Sequence, residues 1–133
     1  MDPFIGEIRM FAGNFAPRGY AFCDGQLLAI SQNTALFSLL GTTFGGDGQT
    51  TFGLPDLRGR SPVHPGDGPG LPYVVQGQRS GNDTGWPVLG DVTLARDLPT
   101  TKSFDDAAGS QGTAPQTFVH FIIAIQGLFP SRN

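Results

Sequence analysis

The stretch from Gly41 to Arg60, GTTFGGDGQTTFGLPDLRGR, decides how this chain folds. Three glycines between positions 45 and 48 permit positive φ angles and therefore tight turns. Two similar pieces, TTFG at 42–45 and TTFG at 50–53, flank those glycines. We expect these pieces to pair as a hairpin. Pro55 follows and blocks both ladder donation and helix growth, so the run predicts short strands joined by tight turns.

Chemical interpretations of the same run are weak. A phosphate-binding loop needs a lysine before Ser/Thr, or a helix directly after its glycines, and GGDGQT is followed by neither. Calcium requires several oxygen ligands at short spacing, whereas Asp47 is the lone acid of its turn. Aspartate commonly caps turns through its side chain, so we expect Asp47 to cap the turn rather than to bind a metal.

The exit of the run, Asp56-Leu57-Arg58-Gly59-Arg60, allows two interpretations. Arg58 and Arg60 suit contact with an anionic sugar, because guanidinium groups recognise planar anions. Alternatively, Asp56 forms an ion pair with Arg58 or Arg60, within one chain or between subunits. We favour the ion pair, because the charges alternate locally.

Three short strands are predicted before this run. The segment FIGEIRMF at 4–11 is rich in β-branched and aromatic residues, and places Glu7 and Arg9 on one face. A second strand is expected at Tyr20–Cys23, ending at the turn dipeptide Asp24-Gly25. A third is expected at Gln26–Ile30.

One helix is predicted between these strands and the glycine run. Ser31 is expected to be its N-cap, and Gly41 to end it. Apolar residues recur at helical spacing along Gln32–Leu40, at Ala35, Leu36, Leu39 and Leu40. We expect this stripe to pack on the strands as core, and a docking face for a partner is the alternative.

Composition changes along the chain predict three parts: a first domain at 1–60, a loop-rich insert at 61–117, and a C-terminal strand at 118–133 that returns to the same core. The insert contains a plausible strand at 91–95 and a predicted loop at 103–113. The segment FVHFIIAI at 118–125 is apolar throughout and is expected to be a buried strand.

Size and composition predict an α+β fold, mainly β. The 133 residues include 20 Gly and 11 Pro, which is typical of loop-rich chains, but also 11 Phe, which disordered chains lack. We expect short strands and long Gly/Pro-rich loops packed around one short helix, with burial completed by oligomerisation.

The charge pattern excludes several classes of function. Charged residues make up 14% and the net charge is −3, with no basic stripe, so binding to nucleic acid is not expected. No apolar stretch is long enough to insert into a membrane. The opening residues lack the pattern of a secretory signal peptide, and the single cysteine, Cys23, excludes an intrachain disulfide.

Catalysis, metals and cofactors are not expected. His64 and His120 are the only histidines, and Cys23 is the only thiol available to help them bind a metal. His120 lies in an apolar segment, which favours a core or interface position. Cys23 lies beside Asp24, which raises rather than lowers its pKa. The only adjacent carboxylates, at 105–106, fall in a predicted loop, so the chain is not expected to be an enzyme.

Two long segments resemble the phage tail collar domain family, which includes the bacterial microcystin-dependent proteins. They are FIGEIRMFAGNFAPRGYAFCDGQLLAISQNTALFSLLGTTFGGDGQTTFGLPDLRGRSPVHPGDGPGL, from Phe4 to Leu71, and FIIAIQGLFPSRN at the C-terminus. The resemblance implies a role related to tail fibres, in which the collar region belongs to an intertwined homotrimer and the distal part binds receptors. Relatives often have a Pro-x-His-x-His motif downstream, where this chain has Thr100 and Lys102 at the histidine positions.

Two functions are hypotheses at this point. The first is a non-catalytic structural subunit that assembles with itself, as a trimer and further into a filament, in an extracellular or virion-like particle that needs no signal peptide for export. The second is a receptor-binding module for cell-surface saccharide. The residues expected in ligand binding are Trp86, Tyr73, Arg58 and Arg60. The residues expected in assembly are Phe118, Phe121, Ile123 and Asp56.

Overall fold

The computed structural model describes residues 2–80 and 115–132. By its contacts the chain divides into two units, one formed by 1–78 with 119–133 and the other by 79–118. The described strands and the helix all lie in the first unit. The predictions for Trp86, for Thr100 and Lys102, and for the segments 91–95 and 103–113 lie outside the described residues.

The described elements are short strands and one short helix, which confirms the predicted mainly β, α+β class. In chain order they are β1 (Ile8–Phe11), β2 (Tyr20–Phe22), β3 (Leu27–Ala29), a 3-10 turn (Ile30–Gln32), α1 (Thr34–Leu40), β4 (Thr51–Gly53) and β5 (His120–Ala124). All the pairings between these strands are antiparallel.

The larger sheet has the order β1-β5-β2, so the C-terminal strand lies between the first two strands of the chain. Ile123 faces Ile8 on one side and Ala21 on the other. Ile122, Ile123 and Ala124 are buried, whereas β1 is largely exposed. A central strand is covered on both edges, which explains why the most apolar run of the C-terminus occupies this position.

The two faces of this sheet pack differently, because side chains alternate along a strand. Ile123 points into the core cluster, together with Cys23, Leu36, Phe52 and Leu54. Ile122 is buried but lies outside this cluster, on the opposite face, where it is paired with Arg9 and Phe22. Strand β5 therefore has buried side chains on both of its faces.

A bulge shortens β1 relative to the predicted strand at 4–11. The Gly6 amide donates to the Ala124 carbonyl at 2.8 Å, while the Ala124 amide donates to the Glu7 carbonyl at 3.0 Å. Two residues therefore oppose one, with Gly6 at φ 88°, a conformation that glycine adopts without strain. Regular pairing begins only at Ile8. The predicted placement of Glu7 and Arg9 on one face is confirmed by an ion pair, with Oε2 and Nε 2.9 Å apart.

The smaller sheet contradicts the predicted hairpin within the glycine run. Strand β4 pairs with β3, placing Phe52 opposite Leu28, while residues 42–45 form turns after α1. The turn backbone lies directly on β4: the Gly53 amide donates to the Gly45 carbonyl at 2.9 Å, and a Cβ at Gly46 would overlap the Phe52 backbone, but residues 42–45 do not form a strand. Phe52 and Leu54 are completely buried as a result.

The helix begins later than predicted. A 3-10 turn occupies 30–32, α1 starts at Thr34, and the N-cap is Asn33, so the Ser31 cap is wrong. The Asn33 side-chain amide donates back to the Ala29 carbonyl at 3.0 Å, which joins the helix start to β3. Gly41 ends the helix as predicted, with φ 55°. Leu36 packs into the core, and the ring centroids of Phe37 and Phe52 lie 5.5 Å apart. The apolar stripe of the helix therefore belongs to the core.

Truncation of Ile123 tests whether the fold depends on the central strand. Ile123→Ala is expected to lower the free energy of unfolding by about 2–5 kcal/mol, because the side chain is 0% exposed and leaves a cavity. Ile8→Ala is the matched control, since it lies directly opposite but is 40% exposed, and is expected to cost much less. If urea unfolding shows the same loss of unfolding free energy for Ile123→Ala and Ile8→Ala, the core is not centred on β5.

Candidate functional site

The Asp47 carboxylate organises the glycine-rich turn through hydrogen bonds. Oδ1 accepts from the backbone amides of Gln49, Thr50 and Thr51 at 2.8–3.0 Å, and Oδ2 accepts from the Thr50 hydroxyl at 2.9 Å. These donors hold the pKa of Asp47 far below its usual range, with the Thr51 amide as the largest cause. The predicted turn-capping role is therefore confirmed.

No metal cluster surrounds this carboxylate within the described residues. Across 2–80 and 115–132, no group of three or more His, Cys, Asp or Glu side chains lies close enough together to hold an ion. The oxygens of Asp47 are occupied by protein donors instead, so the turn is closed by its own sequence, GDGQTT.

At the exit of the run, Asp56 pairs with Arg58 within the chain. Arg58 donates from Nε to Oδ1 and from Nη2 to Oδ2, each at 2.9 Å, in a bidentate arrangement. The Arg58 amide also donates to Oδ1 at 3.2 Å. This is one of the two arrangements expected from the sequence. The pair raises the pKa of Arg58 through the Asp56 hydrogen bond and charge.

Asp56 itself is fixed in place by the adjoining turn. It forms an isolated bridge with Asp24, and the Gly25 amide donates to the Pro55 carbonyl at 3.2 Å. A Cβ at Gly25 would lie 3.0 Å from the Asp56 Cβ, with Gly25 at φ 75°, so this close approach requires glycine. The ion pair thus projects from a rigid junction of two turns. Ligand binding by Arg58 and Arg60 stays a prediction.

The remaining predicted ligand-binding residues are not gathered beside this pair by any described contact. Tyr73 is exposed, in a loop tied by the bridge between Gly66 and Val74. Trp86 lies outside the described residues. A saccharide-binding role for either residue therefore stays a prediction.

The predicted assembly residues occupy different environments. Ile123 is completely buried within its own chain, and a role for it in assembly stays a prediction. Phe121 is half-buried against the core, and Phe118 is exposed. For Phe118, Phe121 and Asp56, a role in assembly stays a prediction.

His120 is exposed rather than buried, so the expected core position is wrong. It lies at the first position of β5, where its ring stacks on Phe22 with centroids 4.6 Å apart. Its Nδ1 lies 2.8 Å from the Gly13 carbonyl, an arrangement that a protonated Nδ1 satisfies by donating. Phe11, which lies opposite His120 in the sheet, meets Phe15 edge to face, with ring centroids 5.7 Å apart. Sequence reasoning missed this aromatic group, because its members come from distant segments.

The environment of Cys23 disfavours the thiolate form. It is buried in the core, and burial, followed by the charge of Asp24, raises its pKa to about 11. The thiol therefore stays protonated near neutral pH, in agreement with the direction expected from the sequence.

Among residues 2–80 and 115–132, more large apolar side chains are exposed than are fully buried. The buried set is Cys23, Leu36, Phe52, Leu54, Ile122, Ile123 and Ala124. The exposed set is Phe4, Ile8, Met10, Phe15, Leu27, Val63, Leu71, Tyr73, Val75, Phe118, Val119, Leu128 and Phe129. Part of it is contiguous, since Phe4 bridges Leu128. Exposed apolar clusters of this kind favour contact with another surface.

Acidification tests the role of Asp47. A carboxyl whose pKa is lowered on folding stabilises the native state above its unfolded pKa of about 4, and this contribution is lost as pH falls below that value. Wild-type protein should therefore lose melting temperature more steeply than Asp47→Asn between about pH 5 and pH 2. The amide oxygen of the variant still accepts the backbone bonds but does not titrate.

Asp67→Asn is the matched control, because it removes the same charge from another turn flanked by glycines. Its melting temperature, measured over the same pH range, gives the effect of losing one negative charge from a glycine-flanked turn. An equal dependence of melting temperature on pH in wild type and Asp47→Asn would show that protonation of Asp47 does not destabilise the native state.

Comparison with known proteins finds a family match for part of this chain. No curated protein matches the chain significantly, and no helix among the described residues is long and apolar enough to cross a membrane. Residues 6–62 match the family described as Phage Tail Collar Domain. The matched segment contains β1 to β4 and α1 but stops before β5. The resemblance seen in the sequence is thereby confirmed for residues 6–62, which are similar to the phage tail collar domain family.

Proposed function

We propose that this chain is a non-catalytic structural subunit of a phage-tail-fibre-like assembly, and that it associates with its own copies as a trimer. The collar match supports a structural role in a tail fibre. The observation that supports self-association is the exposed apolar set, which exceeds the buried one.

The balance of buried and exposed side chains favours association. Full burial of one Phe, Leu, Ile or Met side chain contributes about 1.5–3 kcal/mol. The core of the first unit holds few such side chains, whereas Met10 is 71% exposed and Phe4, Leu128 and Phe129 are exposed together at the joined ends of the chain. Covering only part of this surface offsets the entropy lost when copies associate.

Three of the described reactive groups support a non-catalytic role, because each has a structural task. The Cys23 thiol is buried and protonated, Asp47 caps a turn, and Asp56 holds Arg58. A location on a virion-like particle or outside the cell is part of the proposal, as is further growth into a filament.

Receptor binding to cell-surface saccharide is the second candidate, favoured by one observation. Tyr73 presents an exposed ring on the 61–78 loop, and rings of this kind stack on sugars. Glycan-array binding that is lost in Tyr73→Ala and retained in Tyr73→Phe supports this candidate. An array without signal leaves the structural role alone.

The mass of the protein in solution tests the structural proposal. Sedimentation equilibrium at micromolar concentration is expected to give three times the 14.0 kDa chain mass, or a multiple of that trimer. Leu128→Asp should lower this mass, because it places a charge within the exposed apolar cluster at the joined chain ends. Ser131→Asp is the control, with the same added charge at an exposed polar position nearby. A stable wild-type monomer at micromolar concentration would overturn the proposal.

A further inference from the structure

We infer that the free edge of β1 is a docking site for β1 of a second copy of this chain. The two strands pair antiparallel about a two-fold axis, with Ile8 opposite Ile8 of the second copy. The inference rests on the proposed self-association and names the surface and register through which two copies meet.

The backbone groups of β1 that face away from β5 can be identified from the hydrogen bonds of β5. Phe121 and Ile125 bond towards β2, through the Cys23 amide and the Gly19 carbonyl. Ala124 bonds towards β1, through Gly6 and Glu7. The direction in which the backbone groups point alternates from residue to residue along an antiparallel strand. Ile122 and His120 therefore also bond towards β1, where Ile122 is paired with Arg9 and His120 with Phe11. The amides and carbonyls of Ile8 and Met10 therefore point outwards.

This edge is open among the described residues. No further strand pairs with β1 in residues 2–80 and 115–132, and Ile8 and Met10 are 40% and 71% exposed. Soluble proteins usually protect such an edge with proline or with an inward-pointing charge. The sequence of β1, IRMF, has no proline, and its only charge already has a partner in Glu7.

Charge complementarity indicates that the occupant is a second copy. Glu7 and Arg9 lie on one face of β1, and the Arg9 guanidinium uses only Nε to reach Glu7. Within the described part of the chain, no hydrogen bond from its two terminal nitrogens is found. When Ile8 faces Ile8 of the second copy across a two-fold axis, Glu7 of each copy faces Arg9 of the other. The free guanidinium nitrogens then meet the second copy's carboxylate.

This register pairs the outward amide and carbonyl of Ile8 with those of Ile8 in the second copy and sets opposite charges face to face. Met10 then lies opposite Gly6, whose amide is already bonded to Ala124 within its own chain. Outward-facing residues must pair with outward-facing residues, so the register changes in steps of two positions. A shift of two positions in one direction places Arg9 opposite Arg9 of the second copy. The same shift in the other direction places Glu7 opposite Glu7 of the second copy. Like charges directly opposite each other destabilise a pair of strands. The contact is two-fold, so it joins copies in pairs and is separate from the three-fold contact of the proposed trimer.

Two reciprocal charge variants test the inference. In Glu7→Arg every copy presents two arginines at the edge, and in Arg9→Glu every copy presents two glutamates. Each variant alone is expected to weaken the two-fold contact about tenfold or more, giving assemblies with half the number of copies found in wild type. An equimolar mixture should restore the doubled assembly in native mass spectrometry, and about 1 M salt should abolish this recovery.

The mixture separates the contact between copies from effects within one chain. Both variants lose the internal Glu7–Arg9 pair, and mixing cannot restore it, so recovery reports only on contact between copies. A mixture that assembles no further than the separate variants overturns the inference. A wild-type trimer with no doubled species also overturns it and leaves the proposed structural role intact. A wild-type monomer overturns both.

Discussion

The structure depends on the insertion of β5 between β1 and β2. The first two strands of the chain do not pair with each other, so neither belongs to a sheet until the C-terminal strand arrives. Closing this arrangement brings together residues separated by roughly a hundred positions, at an entropic cost that grows only slowly with the length of the loop. Burial of Ile122, Ile123 and Ala124 offsets that cost.

The collar segment depends on a strand from outside its own boundaries. Residues 6–62 match the collar family, yet the strand that joins their two N-terminal strands lies outside the match. The segment is therefore not a complete folding unit without the C-terminus. Because Ile123 also connects the sheet to Leu36 and Phe52, the helix and the smaller sheet depend on the same strand.

The small extent of burial also connects the fold to its proposed function. Among the described residues, one central strand and one short helix bury few large apolar side chains completely, and many others stay exposed. The glycine-rich run contributes rigidity rather than chemistry. Asp47 closes its turn through backbone hydrogen bonds, and the close approach of Gly25 to Asp56 fixes its exit.

Local features were predictable from the sequence, and pairing was not. The strand expected at Tyr20–Cys23 is found at Tyr20–Phe22, and Glu7 pairs with Arg9, because alternation and i,i+2 spacing are local properties. The similar TTFG pieces suggested a hairpin, but similarity does not determine partners, and Phe52 pairs with Leu28 instead. His120 was misplaced because its apolar neighbours indicated burial, while its position at the start of a strand leaves it exposed.

Native-state hydrogen exchange measures the role of β5 most directly. The amides of Ile122, Ile123 and Ala124 are each paired with a flanking strand and buried, so they should exchange among the slowest in the protein and only through global unfolding. Exchange of these amides as fast as that of the exposed 61–78 loop, while the amides of α1 remain protected, would contradict a fold built around the central strand.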